Sequence, residues 1–142
     1  MADKLFVDTW GWLTLADSSE THHRAVVAFY QMWLDAEGYF YTTDYVLDET
    51  YTLMFKRLNP TVAKRTIDSL LAAFTNPRFH LIWMTPERFV QTQTWRDRYL
   101  DKPRISFTDL TSMVVMAELG ITQILTGDAH FEQVGHGFQR VP

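Results

Sequence analysis

The sequence predicts an α/β protein, a three-layer α/β/α sandwich in which helices cover both faces of a mostly parallel sheet of four to five strands. Short runs rich in β-branched and aromatic residues alternate with segments whose apolar residues recur at helical spacing. The segments between these runs are too long for hairpins, which indicates crossover connections and parallel strands. The chain has 142 residues, of which 46% are hydrophobic, so we expect a single domain over residues 1–142.

The first half of the chain alternates between predicted strands and predicted helices. Helices are assigned where the apolar spacing is near 3.6 residues and a stop signal follows, as Gly38 does for the first long helix and Pro60 for the second. The predicted elements are a strand over 4–7, a short helix or loop over 10–16, a helix over 21–37, a strand over 39–42, and helices over 44–58 and 61–74.

The second half continues the same alternation. Pro86 suits the first position of a helix, and Gly120 ends a helix that is apolar on nearly every side and is therefore predicted to be buried. The predicted elements are a strand over 80–84, a helix over 86–100, an exposed loop over 101–104, a helix over 109–119, a strand over 123–125 and a candidate fifth strand over 138–141.

Composition excludes several classes of protein. The chain contains no cysteine, so disulfide scaffolds, thiolate zinc sites and thiol nucleophiles are excluded. The formal net charge of −4 argues against binding polyanions through a simple excess of positive charge, unless several carboxylates are neutralised by a metal ion. No segment has the apolar character of a signal peptide or a membrane span, so we expect a cytoplasmic protein without membrane contact.

Two aspartates follow predicted strands. Asp8 comes directly after the first strand, and Asp128 lies three residues after the strand that ends at Leu125. The carboxyl ends of parallel strands lie at one edge of a sheet, where such folds bind ligands, so both carboxylates are candidate site residues. Thr9 and Thr126 place hydroxyl groups beside them in supporting positions. Each aspartate alone could equally be a helix cap or a turn residue.

Two further carboxylates are predicted on helices that face the core. Around the helix over 44–58, Glu49 falls at the border of the apolar stripe, whereas Asp48 falls well away from it and is predicted to be solvated. Asp109 is predicted to open the buried helix, and Ser106 three residues before it resembles a capping box. Taken alone, Glu49 is more typical of an exposed helix residue.

The joint arrangement favours a metal site. Four carboxylates brought close together repel one another and raise one another's pKa unless a cation compensates. Mg²⁺ takes oxygen ligands and is usually held by carboxylates together with phosphate oxygens. The residues therefore point to a metal-assisted phosphoester hydrolase, with Asp8, Glu49, Asp109 and Asp128 as its candidate metal ligands and catalytic residues.

Several other residues stay open as substrate contacts. His130, two residues after Asp128, could touch substrate, whereas His22 and His23 are predicted to face solvent. Trp10 and Trp12 could stack on a base, although core packing is the more ordinary use of tryptophan. A basic cluster could meet phosphates or simply be a solvated helix end; it consists of Arg96, Arg98, Lys102 and Arg104.

Four short motifs occur in order along almost the whole chain. They are Phe6-Val-Asp8-Thr9 at the first strand, Val46-Leu-Asp-Glu49-Thr on a helix, Phe107-Thr-Asp109 at a helix start, and Ile124-Leu-Thr-Gly-Asp128-Ala-His-Phe131 after a later strand. Together they resemble the PIN domain, in the form found in VapC-type ribonuclease toxins.

The resemblance implies a Mg²⁺- or Mn²⁺-dependent endoribonuclease that cleaves RNA and acts as the toxin of a toxin–antitoxin pair. The family's acidic cluster matches Asp8, Glu49, Asp109 and Asp128 of this sequence. A homodimer and a small antitoxin whose tail enters the cleft are the partners that the resemblance implies.

Two other functions remain open at this point. A catalytically inactive PIN-fold interaction module could use the acidic cleft to bind a basic partner peptide, and it would be indifferent to divalent ions. A receiver-like phosphoacceptor domain is less favoured. It needs a second acidic residue beside the first strand and a lysine after the last strand, whereas this chain offers Asp8 alone there and no lysine after Lys102.

Overall fold

A computed structural model describes residues 3–142 of the chain. Its strands are β1 (Lys4–Val7), β2 (Tyr39–Thr43), β3 (Phe79–Ile82), β4 (Gln123–Leu125) and β5 (Gln139–Val141). They form one sheet with the order β3-β2-β1-β4-β5, and every neighbouring pair is parallel. The candidate fifth strand is therefore present, and the predicted parallel sheet is confirmed.

The helices complete the three-layer α/β/α sandwich that the sequence predicts. They are α1 (Thr9–Ala16), α2 (His23–Asp35), α3 (Asp44–Arg57), α4 (Pro60–Ala73), α5 (Pro86–Arg98), α6 (Phe107–Leu119) and α7 (His130–Gln133). Helix α1 contacts α2 and α3, α3 contacts α4, and α5 packs against α6. Within residues 3–142, no helix combines the length and the apolar character needed to cross a membrane.

The core lies around the central strand β1. Leu5, Phe6 and Val7 are completely buried because β1 has a neighbouring strand on each side and helices on both faces. Helix α6 is buried along most of its length, with Leu110 and Met113 inaccessible to solvent. The all-round apolar pattern of this segment therefore identified a helix enclosed by other layers, as predicted.

Several element boundaries differ from the sequence-based prediction. Helix α6 begins at Phe107 rather than at Asp109, because the Ser106 hydroxyl caps it by accepting a hydrogen bond from the Asp109 backbone N–H at 3.0 Å. Strand β3 covers Phe79–Ile82 instead of 80–84, and α2 is two residues shorter at each end than the predicted 21–37. The segment over 10–16 is a helix that begins one residue earlier, at Thr9.

Candidate active site

Asp8 lies at the carboxyl end of the central strand, next to the end of β4. Val7 pairs with Leu125 in the sheet, so the residues that follow them, Asp8 and Thr126, are neighbours. The Thr126 hydroxyl donates a hydrogen bond to Asp8 Oδ2, and the Gly11 backbone N–H donates to Asp8 Oδ1 at 3.0 Å. Asp8 is therefore the N-cap of α1. Its capping role does not remove it from the candidate site, because the same side chain lies at the carboxyl end of β1.

A glycine allows α1 to start this close to the sheet. A Cβ atom at Gly11 would lie 2.7 Å from the Leu125 carbonyl oxygen and 2.8 Å from Val7 Cγ1. Both distances are shorter than real Cβ contacts, so any other residue here would push α1 away from the strand ends. The close approach keeps Asp8 in a tight turn against the end of β4.

Asp128 is presented by a turn that its own side chain stabilises. The Asp128 backbone N–H donates to Thr126 Oγ1 at 3.0 Å, and Asp128 Oδ1 accepts from the His130 backbone N–H at 2.8 Å. Trp10 packs on the backbone of this turn, since a Cβ atom at Gly127 would lie 2.6 Å from the indole ring. Hydrogen bonds within the turn and the packing of the Trp10 indole against it therefore both fix the position of Asp128.

Glu49 on α3 and Asp109 on α6 lie at the same edge of the sheet as Asp8 and Asp128. Helix α3 starts at the end of β2, capped by Thr43, whose hydroxyl accepts from the Val46 backbone N–H at 3.1 Å. Thr9 connects α1 to α3 by donating to the Val46 carbonyl oxygen at 3.3 Å. Glu49, one turn further along α3, is half-buried, and Asp48 beside it is exposed, as the helical periodicity predicts.

These side chains line one cleft of about 530 Å³ at the carboxyl edge of the sheet. The four candidate carboxylates all contribute to its wall. Thr9 lines the cleft as well. Thr126 does not line it, but its hydroxyl forms hydrogen bonds with Asp8 and with the backbone N–H of Asp128, which both do. Arg57 and Arg104, both exposed, lie at its rim.

The cleft disfavours negative charge at its deepest carboxylate. Asp8 is only 7% exposed, and this burial is the main reason why its pKa is raised from 3.8 to about 7. The hydrogen bonds from Thr126 and Gly11 lower the pKa of Asp8, and the charges of Asp109 and Asp128 raise it. Burial is the larger influence, so Asp8 holds a proton well above the ordinary range of an aspartate.

Asp109 shows the same behaviour to a smaller degree. Burial raises its pKa from 3.8 to about 6, and the charges of Asp128 and then Glu49 add to the increase. His130 opposes the increase in the pKa of Asp109. The cleft therefore holds two carboxyl groups that are costly to ionise without a nearby cation.

The donor set fits a divalent metal ion. One donor atom from each of Asp109, Asp128 and His130 lies within 4.8 Å of the others. Carboxylate oxygens are the ligands that Mg²⁺ and Mn²⁺ prefer, and a cation among them would offset the burial of Asp8. The Nδ1 atom of His130 is buried without a hydrogen-bond partner among residues 3–142, as expected of an atom that can bind a ligand.

His130 is the member of this cluster that the sequence identifies least clearly. It begins α7, a four-residue helix that is too short to produce a periodic pattern and is therefore not predicted. The fully buried Phe131 anchors this helix in the core. The signal available in the sequence was the spacing of two residues between Asp128 and His130, within one turn.

The other open residues divide between core and cleft. Trp12 is buried, and its indole N–H donates to Thr42 Oγ1 at 3.2 Å, whereas Trp10 is half-buried and lines the cleft. His23 does not simply face solvent as predicted, because its Nδ1 lies 2.7 Å from the Thr14 carbonyl oxygen. His22 is exposed, as predicted.

The basic cluster is not a single phosphate-binding group. Arg96 donates hydrogen bonds at 2.6–2.8 Å to three carbonyl oxygens, of Tyr99, Lys102 and Ile105. Its guanidinium is therefore committed to the loop between α5 and α6, which corrects its assignment as a candidate phosphate contact. Of the four basic residues of the cluster, Arg104 is the one that lines the cleft.

We expect the substitution Thr126→Val to raise the pKa of Asp8 by about one to two pH units above its value near 7. A hydrogen bond to a charged group is worth about 1.5–3 kcal/mol, and one pH unit corresponds to about 1.4 kcal/mol. Thr126→Ser keeps the hydroxyl and is the matched control. The ¹³C chemical shift of the Asp8 carboxyl, followed against pH in metal-free protein, measures the effect. Equal titration of the two variants would contradict the assigned role of the hydroxyl.

The fold and the acidic cleft define the class of a metal-dependent nuclease built on a parallel α/β sheet. The chain belongs to the PIN domain family, since the family model matches residues 5–137. This confirms the family resemblance found in the motifs. It also supports nuclease activity rather than an inactive interaction module, because metal-dependent nuclease activity is general for the family.

A curated relative gives the same assignment. The chain is 27% identical over 131 residues to the 23S rRNA-specific endonuclease VapC20 of Mycobacterium tuberculosis, an alignment that covers 92% of this chain and 94% of that protein. The crystal structure of VapC20, described as a Sarcin-Ricin loop cleaving toxin, matches with a TM-score of 0.76 and covers 92% of this chain and 95% of that chain.

More distant solved structures share the fold. VapBC2 from Rickettsia felis, crystallised on a DNA fragment from its promoter, matches with a TM-score of 0.70 at 12% identity and covers 97% of both chains. DNA-bound VapBC from Salmonella typhimurium matches with a TM-score of 0.67 at 13% identity, covering 99% of this chain and 98% of that chain. Both confirm the α/β/α architecture of the PIN fold.

Proposed function

We propose that this chain is a divalent-metal-dependent endoribonuclease and the toxin of a toxin–antitoxin pair. The observation that carries the proposal is the burial of Asp8 beside other carboxylates, which raises its pKa to about 7. Such a site favours a positively charged ligand. The similarity to VapC20, named a 23S rRNA-specific endonuclease, supports RNA as the substrate.

The proposed metal ion is Mg²⁺ or Mn²⁺, held by Asp8, Glu49 and Asp109, with Asp128 completing the site directly or through water. A bound divalent ion would supply Lewis acidity, which stabilises negative charge on a phosphate and makes water a stronger acid. Thr126 orients Asp8 and carries the turn that presents Asp128.

The rim of the cleft supplies groups suited to RNA. Arg57 and Arg104 are exposed there and can pair with backbone phosphates. Trp10 lines the same cleft and offers an indole edge or face to a base. The two arginines place positive charge beside the acidic cluster, even though the formal charge of the whole chain is −4.

The proposed partners are a small antitoxin and a second copy of the chain. The antitoxin is supported by the VapBC complexes among the structures of the same fold. Exposed apolar side chains support further interfaces, since Trp83 and Val90 are 63% and 59% exposed. Light scattering on the purified chain tests the homodimer, and copurification with the product of a neighbouring gene tests the antitoxin.

We expect the purified chain to cleave an RNA hairpin of the sarcin–ricin type in the presence of Mg²⁺ or Mn²⁺. Cleavage should stop with EDTA and return with excess metal, because the cation offsets the charge of the cluster. Glu49→Gln should reduce the rate by at least about 100-fold, on the scale of the loss of one charge-stabilising group. The products are followed by gel electrophoresis of end-labelled RNA.

Asp48→Asn is the matched control, since Asp48 neighbours Glu49 on the same helix but is exposed. It should cleave at the wild-type rate. Cleavage that persists in EDTA would contradict metal dependence, and equal losses in the two variants would contradict the assignment of Glu49. A folded protein that cleaves no RNA with either metal would restore the inactive-module alternative.

A further inference from the structure

One ring nitrogen of His130 faces the acidic cluster without a hydrogen bond. His130 Nδ1 is buried and unpartnered within the described part of the chain. It lies 3.1 Å from Asp128 Oδ1 and 3.7 Å from Asp109 Oδ2, but the direction of the ring does not produce a hydrogen bond to either oxygen. Buried polar atoms are normally satisfied, so the position of this nitrogen requires a reason.

Two contacts fix the backbone at His130. The His130 backbone N–H donates to Asp128 Oδ1 at 2.8 Å, which closes the turn between the two residues. The next side chain, Phe131, is fully buried and anchors α7 against the core. Two independent contacts therefore hold the backbone of His130 beside the carboxylates.

We propose that His130 Nδ1 is a nitrogen ligand of the divalent ion in the acidic cluster, and that it gives this site a preference for Mn²⁺ over Mg²⁺. The inference rests on the proposed function, because it takes the cluster as the metal site. It adds a nitrogen ligand to the carboxylate ligands of the proposed metal site.

The separations between donor atoms suit a shared ion. For metal–ligand distances of about 2.1 Å in an octahedron, adjacent ligands are about 3 Å apart and opposite ligands about 4.2 Å apart. The distances of 3.1 Å and 3.7 Å from His130 Nδ1 to the two aspartate oxygens fall within this interval. One donor from each of the three residues lies within 4.8 Å of the others, so little movement would be needed.

The chemistry of the nitrogen explains the preference. Mg²⁺ is a hard ion that favours oxygen ligands and retains its waters, so it gains little from an imidazole. First-row transition ions accept nitrogen ligands more readily, and Mn²⁺ is the member of that series closest to Mg²⁺ in its use of carboxylates. Adding one imidazole to a carboxylate site therefore shifts selectivity toward Mn²⁺ without excluding Mg²⁺.

The test uses the full chain loaded with Mn²⁺, whose unpaired electrons report on nearby nuclei. Electron spin echo modulation should detect the ¹⁴N nucleus of a directly bound imidazole in the wild type. The signal should be lost in His130→Gln. It should persist in His136→Gln, because His136 is exposed and its ring packs against Trp95 at a centroid distance of 5.0 Å.

Affinity provides a second readout that does not depend on cleavage. The Mn²⁺ dissociation constant is measured from the free-ion electron paramagnetic resonance signal. It should rise at least about 10-fold in His130→Gln, because removing a residue that only supports a metal ligand already costs about 10-fold or more in affinity. The Mg²⁺ dissociation constant, measured by calorimetry, should rise less than the Mn²⁺ constant. Circular dichroism confirms folding, and His130→Asn serves as the second variant.

The outcomes separate this inference from the proposed function. Mn²⁺ bound with RNA cleavage intact, but with no ¹⁴N signal from a bound imidazole in the wild type, overturns the role of His130 alone. Equal loss of Mn²⁺ and Mg²⁺ affinity in His130→Gln overturns the preference. A wild type that binds Mg²⁺ but not Mn²⁺ overturns this inference alone, and a wild type that binds neither ion overturns both this inference and the proposed function. The absence of a ¹⁴N signal in the wild-type spectrum excludes His130 as a ligand even where a variant fails to fold.

Discussion

Asp8→Asn is expected to reduce RNA cleavage by at least about 100-fold, the scale of losing one preorganised charge-stabilising group. Asp8 is the most deeply buried of the four carboxylates, and its side chain would contribute negative charge directly to the metal. Asparagine is a comparable N-cap, so it can still accept the hydrogen bond from the Gly11 backbone N–H. The rate of cleavage of end-labelled RNA measures the loss.

The same substitution should stabilise the metal-free protein at neutral pH. The pKa of Asp8 is about 7 in the folded protein and 3.8 as its ordinary value, so ionising it opposes folding. The difference of about three pH units sets a ceiling of about 4 kcal/mol on the gain, at about 1.4 kcal/mol per unit. Urea denaturation at pH 8 in EDTA should therefore show a higher free energy of unfolding for the variant.

Asp17→Asn is the control with the opposite sign, at the other end of the same helix. Hydrogen bonds from the side chain and then the backbone of Ser19 lower the pKa of Asp17, so losing its charge should slightly destabilise the protein at neutral pH. Cleavage should be unchanged in this variant. An Asp8→Asn protein that cleaves at the wild-type rate, or is less stable than the wild type in EDTA at pH 8, would refute the role given to Asp8.

The metal-free protein should become less stable as the pH rises from about 4 to about 7. Asp8 and Asp109 have folded-state pKa values of about 7 and about 6, against an ordinary 3.8. In this window the folded state retains protons that the unfolded state has released, so the free energy of unfolding falls with increasing pH. The raised pKa of Asp8 alone contributes up to about 4 kcal/mol of this change.

Urea midpoints measured from pH 4 to pH 8 in EDTA test the prediction. Asp8→Asn should flatten the curve, and added Mn²⁺ should restore stability to the wild type near pH 7.5, because a ligand that binds the folded state stabilises it. Below pH 4 the trend should reverse, as carboxylates with lowered pKa values such as Asp17 and Asp101 become protonated. Wild-type and Asp8→Asn curves of the same slope between pH 5 and pH 7 would contradict the assignment.

Most of the architecture could be read from local patterns. The apolar residues at 5–7 and 124–125 lie in β1 and β4, because strands buried on both faces carry apolar side chains on both faces. The long helices were predicted within a few residues of their bounds. The start of α6 required the Ser106 cap, which shows how capping shifts a boundary that periodicity alone places at Asp109.

The residues that were assigned differently depend on contacts made outside their own helices. Arg96 appears as one more surface cation in the sequence, but in the fold its guanidinium binds three loop carbonyls. His23 appears solvent-facing, but it reaches the carbonyl of Thr14 on another helix. Neither partner could be inferred from spacing, since loop geometry and helix packing decide which backbone carbonyls lie within reach.

The sequence by itself determined the order of the strands and long helices and the four candidate carboxylates, because strand ends and helix faces follow from local periodicity. The family followed from the resemblance of its ordered motifs. Only the tertiary structure decided that Asp8 is buried enough to resist ionisation, and that a ring nitrogen of His130 points at Asp109 and Asp128. The physical reason is that burial and donor direction depend on packing among β1, α6 and α7. Strand β1 lies far from α6 and α7 along the chain, and it meets them only when the sheet forms.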